Sequence, residues 1–321
     1  MIRVSTSFSH YSALLNIQQG QSNVNKYIQE VGTGFKGDDL KAFARQAETL
    51  IASRNVELRA EAHLANSKAL TARLSVQDSA LGKVQKGAEA ALDAVTKALA
   101  NNDGGTLIAS LKAAMAEVVN GLNTTYSGAY LFSGGRVDTP PVGITSLDDL
   151  DDPPPLPPAL PTPRPNPFTN GNLAATNRLD DDTTVTTGVL ASDVAGPIFD
   201  ALANVAALPA AGSGEPLTAG FGAPLTPEQT TFLEGLMSEL STAAIHATNT
   251  RANNGSLQKR VEATTVEQQD RKDLVQGLMA GITRADPLEA AARLAQARTT
   301  LEAAAKAFTT LQESSLLNLL R

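Results

Sequence analysis

Three histidines, a run of three aspartates and a glycine pair followed by arginine are the groups in this chain whose chemistry invites a functional reading. His10, His63 and His246 are scattered, and none has the spacing of a zinc-binding helix, in which two histidines stand four residues apart. His63 falls on a helical core position and reads as a partly buried packing residue. Asp180, Asp181 and Asp182 carry charge enough for calcium. They are adjacent, however, whereas a calcium loop alternates its ligands, so they read as a solvated loop. "GGR" at 134–136 lacks the Lys-Ser/Thr of a phosphate loop and runs into prolines rather than a helix. The chain has no cysteine, which removes disulfides, thiolate metal sites and a cysteine nucleophile. No nucleophile, base and oxyanion grouping follows from spacing. The expectation is a protein that is not an enzyme and takes no cofactor and no metal.

The elements that would hold such groups are long helices. Sixteen of the 17 prolines fall between Pro140 and Pro227, the exception being Pro287, so two proline-free flanks enclose a proline-rich insert. Charge divides the same way. Residues 1–139 carry 14 Lys/Arg against 12 Asp/Glu, 140–227 carry 2 against 10, and 228–321 carry 10 against 11. An acidic middle without lysine offers no basic stripe for phosphates, so nucleic acid is excluded as a partner. No run of 18 apolar residues is present, so no membrane span is expected. The start, "MIRVSTSFSHYSALL", lacks the cationic and apolar regions of a cleaved secretion signal.

In the first flank about ten polar residues of weak periodicity precede an apolar stripe at Leu14, Ile17, Val24, Ile28 and Val31. "GTGFKGDDL" breaks it, with Asp38 or Asp39 able to cap the next helix. That helix is expected to run unbroken from Leu40 to about Ala100. Its heptad seam has Ala60, Ser67, Leu74, Leu81, Ala88 and Val95 at one position and His63, Leu70, Gln77, Val84, Ala91 and Ala98 at the other. A second helix is expected from Thr106 to about Asn123. In the last flank Thr226 and Pro227 suit the cap and first residue of a helix. Asp286, Pro287 and Glu289 suit the cap, first turn and capping box of the final one. That helix alternates small and large residues: Ala290, Leu294, Ala297, Leu301, Ala304, Phe308 and Leu311. Near the chain end stand Leu316, Leu317, Leu319 and Leu320, an apolar cluster that either tucks onto the body or stays exposed until a partner covers it. Polar residues in the seams (Gln77, Thr250, Asn254, Gln268) imply a helical rod of low intrinsic stability that relies on neighbours. In the insert, "TTVTTGVL" (183–190) reads as a strand and 192–208 as a short helix capped by Ser192.

The fold class is therefore mainly α: an elongated helical rod of paired N- and C-terminal arms, with a small, partly β outer domain between them. The expected partition is 1–39, an N-terminal assembly segment; 40–139, the first arm; 140–227, the acidic outer domain; 228–285, the second arm; and 286–321, a C-terminal assembly helix.

"LNTTYSGAYLFSGGRVDTPPV" (122–142) ends the first arm with three aromatics and three glycines. It resembles the signature of the flagellar hook-associated protein 3 family, in which a Gly-x-Tyr-Leu-Phe-x-Gly turn leads through Thr-Pro into the outer domain. Gly128, Tyr130, Leu131, Phe132, Gly134, Asp138, Thr139 and Pro140 stand in those places. "NIQQGQSNVNKYIQEVGTGFKGDDL", "NNGSLQKRVE" and the segment from Asp286 are similar to the terminal regions of the flagellin superfamily. The break at 32–48 departs from the family in lacking its longer Ser-Ala-x-Asp-Asp loop. The resemblance implies a structural subunit at the hook–filament junction of the bacterial flagellum. It would be exported by the type III apparatus without a cleaved signal, and its termini would order on assembly. Implied partners are the hook-side junction protein, flagellin, copies of itself and an export chaperone. Flagellin itself, or a secreted binding protein on a flagellin scaffold, are the alternatives.

Overall fold

Long apolar seams with capped starts become long helices. In the computed structural model, which describes residues 2–150, 166–206 and 221–319, six α-helices carry the chain. They are α1 (Ile2–Thr33), α2 (Ala47–Asn101), α3 (Leu107–Leu122), α4 (Ala191–Ala206), α5 (Pro227–Thr283) and α6 (Pro287–Leu319). Two antiparallel hairpins accompany them: β1 (Thr125–Tyr126) with β2 (Ala129–Tyr130), and β3 (Thr176–Arg178) with β4 (Thr184–Thr186). The protein is mainly α with a small β component. It divides into two compact units, one of residues 1–61 and 269–321 and one of 62–268.

Within the first unit α1 packs against α6. The inward face of α6 is the small-and-large series read from the sequence: Ala290 and Ala297 are buried, and Leu294, Leu301, Ala304, Phe308 and Leu311 are half-buried. The His10 ring meets Phe308 edge-on, 6.1 Å between centroids. The Gly-Thr-Gly break turns the chain so that Lys36 N–H donates to the Thr283 carbonyl (2.9 Å) and Ala285 N–H to that of Gly34 (2.8 Å).

Two expectations about helix starts need correction. The helix of the first arm does not start at Leu40. Asp39 accepts from Ala42 N–H at 3.1 Å, which tightens Leu40–Phe43 into a 3-10 turn, and α2 starts only at Ala47. The opening residues also form α1 from Ile2, although their pattern is weak; pairing with a second helix supplies what local periodicity does not.

In this unit Glu57 is buried on α2. It pairs with Arg54, accepts from Gln276 Nε2 at 2.7 Å, and lies one turn from the Glu61–Lys272 pair (3.1 Å). The Gln276 hydrogen bond, aided by Arg54 and against the cost of burial, holds the Glu57 carboxyl below its ordinary value of 4.5. A depressed folded value favours the ionised fold, so this contribution is complete above the unfolded value and is lost as pH falls through the lower folded one. The protection factors of amides at residues 54–61 and 272–276 are therefore expected to fall below pH 4.5, and Glu57→Gln is expected to flatten that dependence.

In the second unit the heptad seam read from the sequence is the buried one. From Ser67 to Ala98 every member is below a tenth exposed. Its core joins Leu81, Val84 and Val95 of α2, Leu111, Met115 and Leu122 of α3, Phe199 and Leu202 of α4, and Leu233, Leu236 and Leu240 of α5. Gly87 allows α3 to come close, since a Cβ there would lie 2.5 Å from Val118 Cγ2 and 2.8 Å from the Ala114 carbonyl. Further along, Leu70, Leu74, Val261, Leu179 and Val185 form a second cluster that seats the β3–β4 hairpin.

Between these clusters lies a polar layer. Gln77 Nε2 donates to Asn254 Oδ1 (3.0 Å) and to the Thr187 carbonyl (3.2 Å), and Asn254 Nδ2 donates to the Leu74 carbonyl (3.1 Å). One arrangement of α2, α5 and the hairpin satisfies these donors, so the layer fixes register. Asn254→Ala is expected to cost about 1–3 kcal/mol by leaving one Gln77 amide proton buried without an acceptor, read as a lower denaturation midpoint with unchanged slope.

The helix starts at α5 and α6 show how far capping rules reach. Thr226 Oγ1 accepts from Gln229 N–H while Gln229 Oε1 accepts from Thr226 N–H, a reciprocal box. At α6 Asp286 caps Leu288 and Glu289, but the Glu289 carboxylate turns away to Arg293 (2.6 Å). That cap is one-sided, which corrects the expected box. Ser192 does not cap α4 either. The Leu190 carbonyl receives Asp193 and Val194 N–H, and Ser192 already lies inside the helix, its own N–H donating to Asn170.

Candidate functional site

Two regions collect the residues expected to matter, and each lies in its own unit. The first is the aromatic turn. After α3, Asn123 closes the helix and its side chain reaches across the turn, donating to the Val142 carbonyl and accepting from Val142 N–H, both at 3.1 Å. Ser127 and Gly128 both have positive φ, +53° and +82°, as a two-residue primed hairpin turn demands. β2 then delivers Tyr130, half-buried, and Leu131 and Phe132, buried in the core that includes α4. The Phe132 carbonyl accepts from Ala191 N–H (3.0 Å), tying the turn to the start of α4.

Gly134 follows at φ +61°. A Cβ there would lie 2.7 Å from the Gly171 carbonyl and 2.8 Å from Leu190 Cδ2, so conformation and space both require glycine. The insert returns past this point. Gly171 N–H donates to the Ser133 carbonyl (2.9 Å), and Arg136 Nη1 donates to the Thr169 carbonyl (3.2 Å). Phe168 meets Phe199 edge-on at 5.2 Å. The turn is thus a fixed joint between α3 and the inserted segment. Asn123, its two-pronged clasp, was missed in the sequence; its place right after the last apolar residue of the helix was the available signal.

The second region is the outward side of α1. Ile17 is half-buried and Val24 buried on the side facing α6. Leu14, Ile28 and Val31 are exposed, along with Phe8 (74%), Tyr11 (64%) and Leu15. The helix therefore presents apolar residues on more of its circumference than α6 covers. Of the terminal leucines, Leu320 lies outside the described residues. Leu316, Leu317 and Leu319 belong to the helical backbone of α6, but their side chains lie outside the described part.

No helix among the described residues is long and apolar enough to cross a membrane. His10 and His246 lie apart from any cluster of ligating groups among the described residues. His63 instead stands beside the aspartate run, its Nε2 3.2 Å from Asp181 Oδ1. The loop of aspartates is accordingly not wholly solvated.

The chain is mainly α, with long helices and a segment inserted at a glycine-aromatic turn. The bacterial flagellin C-terminal helical region matches residues 237–320, which comprise most of α5 and all of the described α6. A solved structure described as a flagellar hook-associated protein of Vibrio parahaemolyticus shares the fold, with a TM-score of 0.52 at 12% identity over 73% of this chain and 96% of that one. The crystal structure of Bacillus cereus FlgL aligns with a TM-score of 0.49 at 14% identity, over 72% and 99%. No protein of curated function matches the sequence. The likeness to flagellin in sequence thus lies in the C-terminal helices, and the likeness to the solved hook-associated structure is one of fold.

Proposed function

We propose that this chain is a structural, non-catalytic subunit of the bacterial flagellum that joins hook to filament. Its terminal helices stack with those of neighbouring subunits, and its acidic insert faces outward. The observation that carries the reading is the apolar surface left on α1 by its pairing with α6: Phe8, Tyr11, Leu14 and Leu15 are exposed on one helix. Exposed apolar residues in such density on a helix mark a contact surface. A coaxial layer of further helices is the partner that fits a long helix pair, as in multi-stranded coiled coils. The partition follows: 1–39 and 286–321 make the inter-subunit layer, 40–139 and 228–285 the two arms, and 140–227 the outer domain. The partners are the hook-side junction protein below, flagellin above and copies of the chain within its own layer. An export chaperone would cover the apolar ends before assembly, and export would use the flagellar apparatus with no cleaved signal.

Stoichiometry tests this reading against flagellin. In a preparation of sheared flagella, quantitative mass spectrometry is expected to find the chain as a minor component, far below the main filament subunit. A dominant share would make it the filament subunit, and absence from flagella would return attention to a secreted binding protein.

A further inference from the structure

We propose that His63, Asp180 and Asp181 form a binding site for a divalent transition-metal ion, which clasps the β3–β4 hairpin to α2. The three residues come from segments more than a hundred positions apart, and their ligating atoms lie within 4.8 Å of one another. The placement has causes on both sides. His63 occupies the seam of α2 two heptads before Gln77, with only 12% of its side chain exposed. The hairpin is held down by Leu179, buried against Leu70, Leu74 and Val261. Its tip is closed by Leu179 N–H donating to the Thr183 carbonyl (2.8 Å) and by Asp181 N–H donating to Asp180 Oδ1 (2.7 Å). Anchoring the tip this way carries the carboxylates to the imidazole.

The donor set decides the class of ion. One imidazole nitrogen and two carboxylates suit zinc, nickel, cobalt or manganese, whereas calcium and magnesium favour oxygen alone. Ligand atoms around such an ion stand roughly 3–3.5 Å apart. The His63 Nε2 to Asp181 Oδ1 separation of 3.2 Å already has that value, and side-chain rotation of Asp180 completes the set. The ion takes the place of the His63–Asp181 hydrogen bond, and water fills its remaining positions.

Two features bound the affinity. Arg178 donates from Nε to the Asp180 carbonyl (3.0 Å) and from its other arm to the Asp181 carbonyl, so a fixed positive charge stands beside the site. Binding through Nε2 also puts the imidazole proton on Nδ1, which is buried without a partner, and so lacks the outer hydrogen bond that orients tightly held metal ligands. The site is thus one of moderate affinity that responds to metal supply, set in the outer part of the chain rather than in its terminal helices.

The test titrates zinc chloride into the full chain by calorimetry and, in parallel, adds cobalt(II) while histidine ring resonances are followed by NMR. One saturable zinc equivalent is expected. His63→Gln, which keeps a donor toward Asp181, and Asp181→Asn are each expected to weaken binding at least tenfold. Cobalt is expected to broaden the His63 ring before those of His10 and His246. Absence of saturable binding, zinc affinity unchanged in both variants, or broadening confined to His10 or His246 would overturn the proposal. The cobalt experiment uses the unaltered chain, so it decides the matter even if a variant fails to fold.

Discussion

Phe132→Ala is expected to lower stability by about 3–5 kcal/mol, the range for truncating a fully buried aromatic side chain. Phe132 has no exposed surface and lies in the core shared by α2, α3, α4 and α5. Its backbone is held from both sides, by the hairpin before it and by Ala191 N–H on its carbonyl. The residue cannot move to fill its own space, so the cavity term persists along with the lost transfer energy. Denaturant unfolding should show the loss as a lowered midpoint. Hydrogen exchange should locate it at residues 129–142 and 190–206, with residues 10–30 unaffected. An unchanged midpoint would mean that the turn does not act as the joint described for it.

The second large effect concerns assembly rather than folding. Phe8→Asp together with Tyr11→Asp is expected to leave the melting temperature of the isolated chain nearly unchanged, because both rings face solvent and such substitutions usually stay within about 0.5 kcal/mol. In cells the same pair is expected to abolish incorporation into flagella and so abolish swimming, since a charge buried in a helix–helix seam without a partner is strongly unfavourable. Stability and assembly thus separate for this pair. A doubly substituted chain that still assembles would show that this side of α1 is not the inter-subunit surface.

Much of the helical scaffold is legible in the sequence because its causes are local. The seam through Leu74, Leu81 and Val95 shows its period within a few turns, and Thr226–Pro227 and Asp286–Pro287 announce helix starts where they stand. The glycine-aromatic turn is visible for the same reason, since Gly128 and Gly134 are demanded by backbone conformations a few residues long.

What the sequence conceals is set by distant partners. Gln77 reads as a weak point in a seam; only the approach of Asn254 and Thr187 turns it into a register lock. His63 reads as packing and Asp181 as a solvated loop, and their meeting depends on where Leu179 is buried. Glu57 looks like any surface acid on a long helix until Gln276 reaches it from α5. The exposed side of α1 is concealed in another way. Leu14, Ile17, Val24, Ile28 and Val31 read as one stripe, but only part of it is covered, and Leu14, Ile28 and Val31 stay exposed among the described residues.

The central claim is position within the flagellum. Immunogold electron microscopy with antibody raised against residues 143–227 tests it most directly, because that segment is the one expected to face outward. A single band of gold at the boundary of hook and filament is the predicted result. Label along the whole filament, or elsewhere on the cell, would contradict it.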